Sequence, residues 1–219
     1  VAIPGSFSFD TVEQFDDHID LSIPTYSNLR DAILRMATYF VKSDSIVYDL
    51  GCSTGLTLAK LSELVPGSVR LVGIDTSDNL LGKAGSGRVE FQRVDLTSPR
   101  LVLAPCDLVL SVFTLQFLPV ADRAELVRKV YDALEPGGAF IISEKTYIDD
   151  GFIQDVFTFG YYDMKLKNFT AEQILDKQMS LRRIMRPQTE AENLQLLTPF
   201  SRVYPFWQYL QFRAWLCIK

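Results

Sequence analysis

From residue 46 onward the chain alternates short apolar runs with stretches of helical period. Ile46-Val47-Tyr48-Asp49-Leu50 precedes a helical pattern from Leu56 to Val65, and Val69 to Asp75 leads into a short connecting segment. Val89 to Asp95 and Asp107 to Phe113 come next, then a helical pattern over 121–134, then Ala139 to Ser143. The short runs are rich in Val, Ile and Leu and do not alternate apolar with polar residues. That is the pattern of strands buried on both faces of a parallel sheet. Strands separated by helices in this order predict a doubly wound α/β fold.

Punctuation along the chain sets the boundaries. Asp122 and Glu125 have the spacing of a capping box, and Leu134-Glu135-Pro136-Gly137-Gly138 stops that helix with glycines that tolerate positive φ. Upstream, Leu29, Ile33, Leu34, Met36, Ala37, Phe40 and Val41 recur at helical spacing after Ser27-Asn28, which predicts an amphipathic helix over one face of the sheet. Residues 152–197 read as helices. The last two runs, Arg202–Tyr209 and Phe212–Ile218, are close enough for an antiparallel hairpin, with Pro205 at a sheet edge or bulge.

Composition removes several classes of function. Twenty-two Lys and Arg against 27 Asp and Glu give a net charge of −5, a field that repels phosphate backbones and argues against direct nucleic-acid binding. Cys52, Cys106 and Cys217 are far apart in apolar surroundings, and His18 is the single histidine. Neither a disulfide framework nor a Cys/His metal site is supported, and a reducing cytoplasm fits best. His18 lies in Asp16-Asp17-His18-Ile19-Asp20, where a solvated or capping role is the plain reading. No apolar run reaches transmembrane length, so no membrane role is expected. The segment Val1 to Phe7 has no signal-peptide pattern, although Val at position 1 leaves the native start open.

Chemistry concentrates at strand ends. Asp49-Leu50-Gly51-Cys52-Ser53-Thr54-Gly55 closes the first strand and opens a helix; Gly51 and Gly55 let the backbone approach a ligand, and the helix start offers N–H groups. Asp75 follows Asp49 by 26 residues and Asp95 follows Asp75 by 20, each at the end of a predicted strand. In open α/β sheets such ends face one crevice, where Asp75 would accept ribose hydroxyls and the chain at Asp95 would pair with an adenine amino group. A dinucleotide turn would need G-x-G-x-x-G; here Ser53 takes the second glycine's place, the third is missing, and Asp49 would repel phosphates. A cationic ligand suits the site, and S-adenosylmethionine carries an ammonium and a sulfonium. The glycine-rich Gly82-Lys83-Ala84-Gly85-Ser86-Gly87 precedes a strand and reads as a flexible connection.

At these residues the sequence resembles the class I S-adenosylmethionine-dependent methyltransferases. The resemblance narrows to the carboxy-S-adenosylmethionine synthase family at Ser22-Ile23-Pro24-Thr25-Tyr26-Ser27-Asn28, Val47-Tyr48-Asp49-Leu50-Gly51-Cys52-Ser53, Phe113-Thr114-Leu115-Gln116-Phe117-Leu118, Leu134-Glu135-Pro136-Gly137-Gly138 and Ile142-Ser143-Glu144-Lys145. That family makes a carboxylated cofactor from S-adenosylmethionine and prephenate for tRNA wobble-uridine modification. The resemblance implies one Rossmann-like domain with a seven-stranded, mostly parallel sheet ending in the antiparallel hairpin. Its core spans 43–146 and 198–219, with helical additions at 10–42 and at 151–197, within a cap over 147–197.

The family's cofactor contacts fall on Tyr26, Gly51, Cys52, Ser53, Asp75, Thr76, Asp95 and Leu96, beside Asp49 and Gly55 of the glycine turn. Two positions depart. Val112 stands where the family has asparagine, and Gln178 where it has the arginine that grips the extra carboxylate. An amide cannot match a guanidinium in charge or in bidentate geometry. The residues therefore favour ordinary S-adenosylmethionine and methyl transfer to a small-molecule acceptor, with no catalytic residue assigned. A synthase with a rebuilt carboxylate grip, and a binding protein without transferase activity, stay open as alternatives.

The acceptor side is less defined. Phe152, Phe157, Phe159, Tyr161, Tyr162 and Phe169 form an aromatic helical stretch that suits a lid, a packed cap or a homodimer surface, with Tyr161, Tyr162 and Glu144 as candidate polar groups. Lys165, Lys167, Lys177, Arg182, Arg183 and Arg186 against Glu172 and Asp176 make 165–186 net +4; it reads either as a solvated face or as a site for an anionic acceptor.

Overall fold

The structure, a computed structural model, describes residues 15–78, 80–83, 87–182 and 184–219, without the side chains of Phe15, Asp17 and His18. The readings of His18, of Val1 to Phe7, of residues 84–86 in the glycine-rich connection and of Arg183 lie outside the described residues.

Five strands run parallel: β1 (Ile46–Leu50), β2 (Arg70–Asp75), β3 (Val89–Arg93), β4 (Cys106–Val112) and β5 (Leu134–Tyr147). A two-residue strand, β6 (Gln188–Thr189), precedes the terminal hairpin of β7 (Arg202–Tyr209) and β8 (Phe212–Ile218). The spatial order is β3-β2-β1-β4-β5-β8-β7, with β8 antiparallel to β5 and β7 antiparallel to β8. The helices are α1 (Phe15–Ser22), α2 (Tyr26–Phe40), α3 (Leu56–Ser62), α4 (Val120–Ala133), α5 (Gly151–Lys165), α6 (Ala171–Leu181) and α7 (Glu190–Leu196).

The sheet has eight strands where seven were expected, because residues 152–197 are not wholly helical. β5 runs on to Tyr147, and its unpaired end at Thr146 and Tyr147 takes Gln188 and Thr189 as a parallel partner. The period of 3.6 around these two residues hid a contact that exists only because β5 overshoots its neighbour. The Asp122–Glu125 capping box is also absent: α4 starts one turn earlier, with Pro119 as its N-cap and Asp122 inside the first turn. Pro205 sits in the outermost strand, where the β7–β8 register shifts between Pro205 and Trp207; the missing N–H is harmless at such a place.

Two cores flank the sheet. Leu29, Ile33, Leu34 and Ala37 of α2 and Leu58 and Leu61 of α3 pack on Val47, Leu71, Leu108 and Ile141. On the other face Leu126, Val127 and Val130 of α4 pack with Tyr48, Val72, Val109, Phe140 and Trp215. Alternate residues of each central strand feed opposite cores, which is why the runs carry no polar alternation. The order of strands reverses between β1 and β4, and a crevice opens there at their carboxyl ends. Among the described residues no helix is long and apolar enough to cross a membrane.

A buried arginine fixes the far wall of that crevice. Arg123 on α4 is 1% exposed and donates to the carbonyls of Leu118 (2.9 Å), Gln116 (3.4 Å) and Arg186 (2.6 Å) and to Gln188 Oε1 (2.9 Å). It ties the loop after β4 to the chain between α6 and α7. Arg123→Met should leave these carbonyls unsatisfied and cost about 3 kcal/mol of stability. Urea denaturation should show a lower midpoint with an unchanged m-value.

Candidate functional site

The crevice is a cavity of about 670 Å³ lined from α1, α2, the carboxyl ends of β1 to β5, α5 and α6. Its acidic half is built by the first three strands. Asp75 ends β2, and its Oδ2 accepts Ser53 N–H at 2.9 Å while Oδ1 accepts Thr76 N–H at 2.7 Å and Ser77 N–H at 3.0 Å. One carboxylate thus holds the turn after β1 against the turn after β2, and stays pre-oriented for hydroxyl donors in the cavity. Asp95 lies two residues beyond β3, where it accepts from Thr97 N–H and Oγ1, both at 2.8 Å.

The glycine turn wraps the end of β2. Gly51 and Cys52 donate their N–H groups to the Ile74 carbonyl at 2.7 and 3.1 Å. Gly51 has φ +76°, and a Cβ there would run into the Thr114 side chain, so only glycine fits both the turn and the wall opposite. Ser53 also holds a left-handed φ of 52°, and its buried Oγ has no hydrogen-bond partner among the described residues. An orphaned hydroxyl on a cavity wall is a donor waiting for a ligand.

Asp49 is 3% exposed yet borders the cavity. Burial, and then the negative charge of Asp75, push its pKa up to about 7. The same burial, with Asp49 and Asp75 nearby, pushes the Cys52 thiol up, so it stays protonated and serves as a packing group against Gly73. Tyr26 starts α2 and packs its ring 6.2 Å from that of Phe113; burial raises its hydroxyl pKa, which remains protonated.

Every sequence-predicted position except Gly55 lines the cavity: Tyr26, Asp49, Gly51, Cys52, Ser53, Asp75, Thr76, Asp95, Leu96 and Val112. Gly55 stands behind the wall. Its N–H is spent on the Cys52 carbonyl at 2.9 Å, and a Cβ would meet the Phe91 ring at 2.6 Å, so its glycine answers to packing. Glu144 is also behind the wall, with its oxygens on the N–H groups of Leu115 (2.9 Å) and Gln116 (2.8 Å). Of the aromatic stretch only Tyr161 reaches the cavity; Phe152 and Phe159 are exposed on the outer side of α5.

Further side chains complete the site. Asp16 of α1 accepts Thr54 Oγ1 at 2.9 Å and so draws that helix over the glycine turn. Arg30 lines the cavity beside Tyr26, with its guanidinium 5.4 Å from the ring centroid and 3.4 Å from Asp20. The i, i+4 spacing of Tyr26 and Arg30 on one helix was the available signal. Lys145, Lys165 and Lys177 line the same cavity as Gln178, with Lys145 on β5, across β4 from the acidic strand ends. They come from β5, α5 and α6, and no single window of sequence holds all three.

Residues 47–138 match the model of a methyltransferase domain. The chain is 34% identical over 217 residues to the carboxy-S-adenosyl-L-methionine synthase of Methylococcus capsulatus, covering 94% of this chain and 89% of that protein. It is 32% identical to the synthase of the same name from a Nitratiruptor species, covering 99% and 95%. The chain belongs to the carboxy-S-adenosyl-L-methionine synthase family. Among solved structures, the magnesium protoporphyrin IX methyltransferase of Synechocystis with bound SAH shares the fold, with a TM-score of 0.62 at 14% identity over 95% of this chain and 89% of that one.

Two predictions follow from the acidic half. Asp75→Ala removes a charged acceptor and unties the two turns, and should weaken S-adenosylmethionine binding about thirtyfold or more in calorimetry. A cationic ligand binds the ionised form of Asp49, whose free pKa is about 7. Affinity should therefore rise as pH increases through 7, being about tenfold weaker one unit below than well above. Asp49→Asn should bind weakly with a flat pH profile.

Proposed function

We propose that the protein carboxylates the methyl carbon of S-adenosylmethionine, taking the carboxyl group from an organic acid such as prephenate, in the cytoplasm. The observation that carries this reading is the polarity of the cleft. Asp49, Asp75 and Asp95 stand at or beside the ends of β1, β2 and β3, on one side of β4, whereas Lys145 stands on β5, on its other side, and shares the Tyr161 ring with Lys165, while Lys177 lines the same cavity. A cationic sulfonium suits the first and an anionic co-substrate the second, whereas a neutral acceptor gains nothing from buried ammonium groups. Kinship with the synthases over nearly the whole chain supports the same choice.

S-adenosylmethionine supplies an activated methyl carbon. In the net reaction the donor's bond to its carboxyl carbon breaks, that carbon bonds to the methyl carbon, and the methyl carbon gives up one proton. With prephenate the electron pair left on the ring aromatises it and expels hydroxide, which takes the proton as water. The residues of this chain bind and orient. Asp75 offers its remaining lone pairs to the ribose hydroxyls, Asp49 offsets the positive charge, Ser53 Oγ gains a partner, and Tyr26 with Phe113 supplies an apolar wall. Residues of α1 and α6 line one and the same cleft, and binding both reactants in it holds them together.

Ordinary methyl transfer is the second reading, favoured by Val112 and Gln178 at the two positions that depart from the family pattern. Incubation with S-adenosylmethionine and prephenate, followed by mass spectrometry, separates the two. The expected product is heavier than S-adenosylmethionine by one carboxyl group in place of one hydrogen. S-adenosylhomocysteine formed with an acceptor pool, and no carboxylated product, would instead establish methyl transfer.

A further inference from the structure

We propose that Lys145, Lys165 and Lys177 together form a carboxylate-binding site on the side of the cleft away from the acidic strand ends. The identity of the co-substrate rests on the synthase reading above; the anion site itself rests on the arrangement of the lysines.

Each lysine comes from a different element. Lys145 lies near the end of β5, Lys165 closes α5, and Lys177 lies in α6, one residue before Gln178. All four border the cavity. Lys165 is 3% exposed, and among the described residues no carboxylate lies within ion-pair distance of Lys145 or Lys165. Their ammonium groups rest instead on aromatic faces. Lys145 Nζ is 5.3 Å and Lys165 Nζ 5.4 Å from the centroid of the same ring, Tyr161, with Phe212 5.9 Å from Lys145 and Phe169 5.3 Å from Lys165.

Ring faces compensate a desolvated cation only in part, and two cations on one ring repel each other. The cost appears in their proton affinities. Burial, then Lys165 and Arg182, bring Lys145 down to about 8, and burial with Lys165 does the same to Lys177. An anion placed among them relieves both desolvation and repulsion. A guanidinium would grip a carboxylate edge-on from one side; ammonium point charges on three elements can surround it. Tyr161 and Phe212 stand against these ammonium groups, and Leu181 and Met185 line the same cavity, so the ligand class is an organic acid with an apolar body.

Calorimetric titration of phenylpyruvate, and of its uncharged methyl ester, into the protein saturated with S-adenosylhomocysteine tests the site. The acid should bind about tenfold or more tightly than the ester, and added salt should weaken only the acid. Lys145→Met and Lys165→Met keep the side-chain length and remove a buried charge, so both should melt no lower than the wild type. Each should lose about tenfold or more in affinity for the acid while holding S-adenosylhomocysteine within about twofold. Gln178→Arg added to Lys165→Met should restore acid binding. Equal binding of acid and ester, or variants that bind the acid as the wild type does, would overturn the anion site. Carboxylated product made by lysine variants with undiminished acid binding would overturn the site and keep the synthase reading. Lysine-dependent acid binding in a protein that only transfers methyl groups would do the reverse.

Discussion

Both oxygens of Glu144 accept backbone N–H groups from the segment after β4, at 2.9 Å from Leu115 and 2.8 Å from Gln116, and that pair of bonds fixes where the cleft's floor meets its wall. Glu144 is 2% exposed; burial raises its pKa, while the two N–H groups and the nearby Arg123 pull it back. Gln116, held by this carboxylate, returns its side-chain oxygen to Lys145 N–H at 2.9 Å and its carbonyl to Arg186 N–H at 2.7 Å. Arg123 then collects the carbonyls of Gln116, Leu118 and Arg186. The acidic group behind the wall sets the position of Lys145 on the sheet and of the chain that follows α6, and so of the cationic half.

The acidic half depends on a different device, the strand ends themselves. Parallel strands finish at one level, and their order reverses between β1 and β4, so the side chains at their ends converge without any bridging element. Asp75 joins two of these ends by accepting Ser53, Thr76 and Ser77 N–H groups. The cleft is thus asymmetric in construction. One half is laid down by the sheet, and the other is assembled from helices tethered to it by Glu144, Arg123 and the short β6 strand.

That asymmetry explains what could be read along the chain. Strands β1, β2 and β4 followed from unalternated Val, Ile and Leu runs because both faces of each are covered, and the terminal hairpin followed from two runs of strand composition joined closely in the chain. Asp49, Asp75 and Asp95 followed from the same runs, being at or beside their ends. Gly55 was assigned to ligand because a glycine in a strand-to-helix turn signals close approach without saying of what; here the neighbour is Phe91. Glu144 read as a site residue because its motif is a site motif, yet its carboxylate faces the backbone behind.

The sequence by itself determined the parallel sheet, the acid-lined pocket at its carboxyl ends and the family, since each depends on residues close together in the chain. Only the tertiary structure decided that three lysines from β5, α5 and α6 share one cavity with Gln178, that Thr54 draws Asp16 of α1 over the pocket, and that β5 overshoots to pair with β6. The physical reason is the packing of helices. A helix's period says which residues share a face but not which neighbour that face will meet, and here the meeting is set by a buried carboxylate and a buried guanidinium whose partners lie elsewhere in the chain.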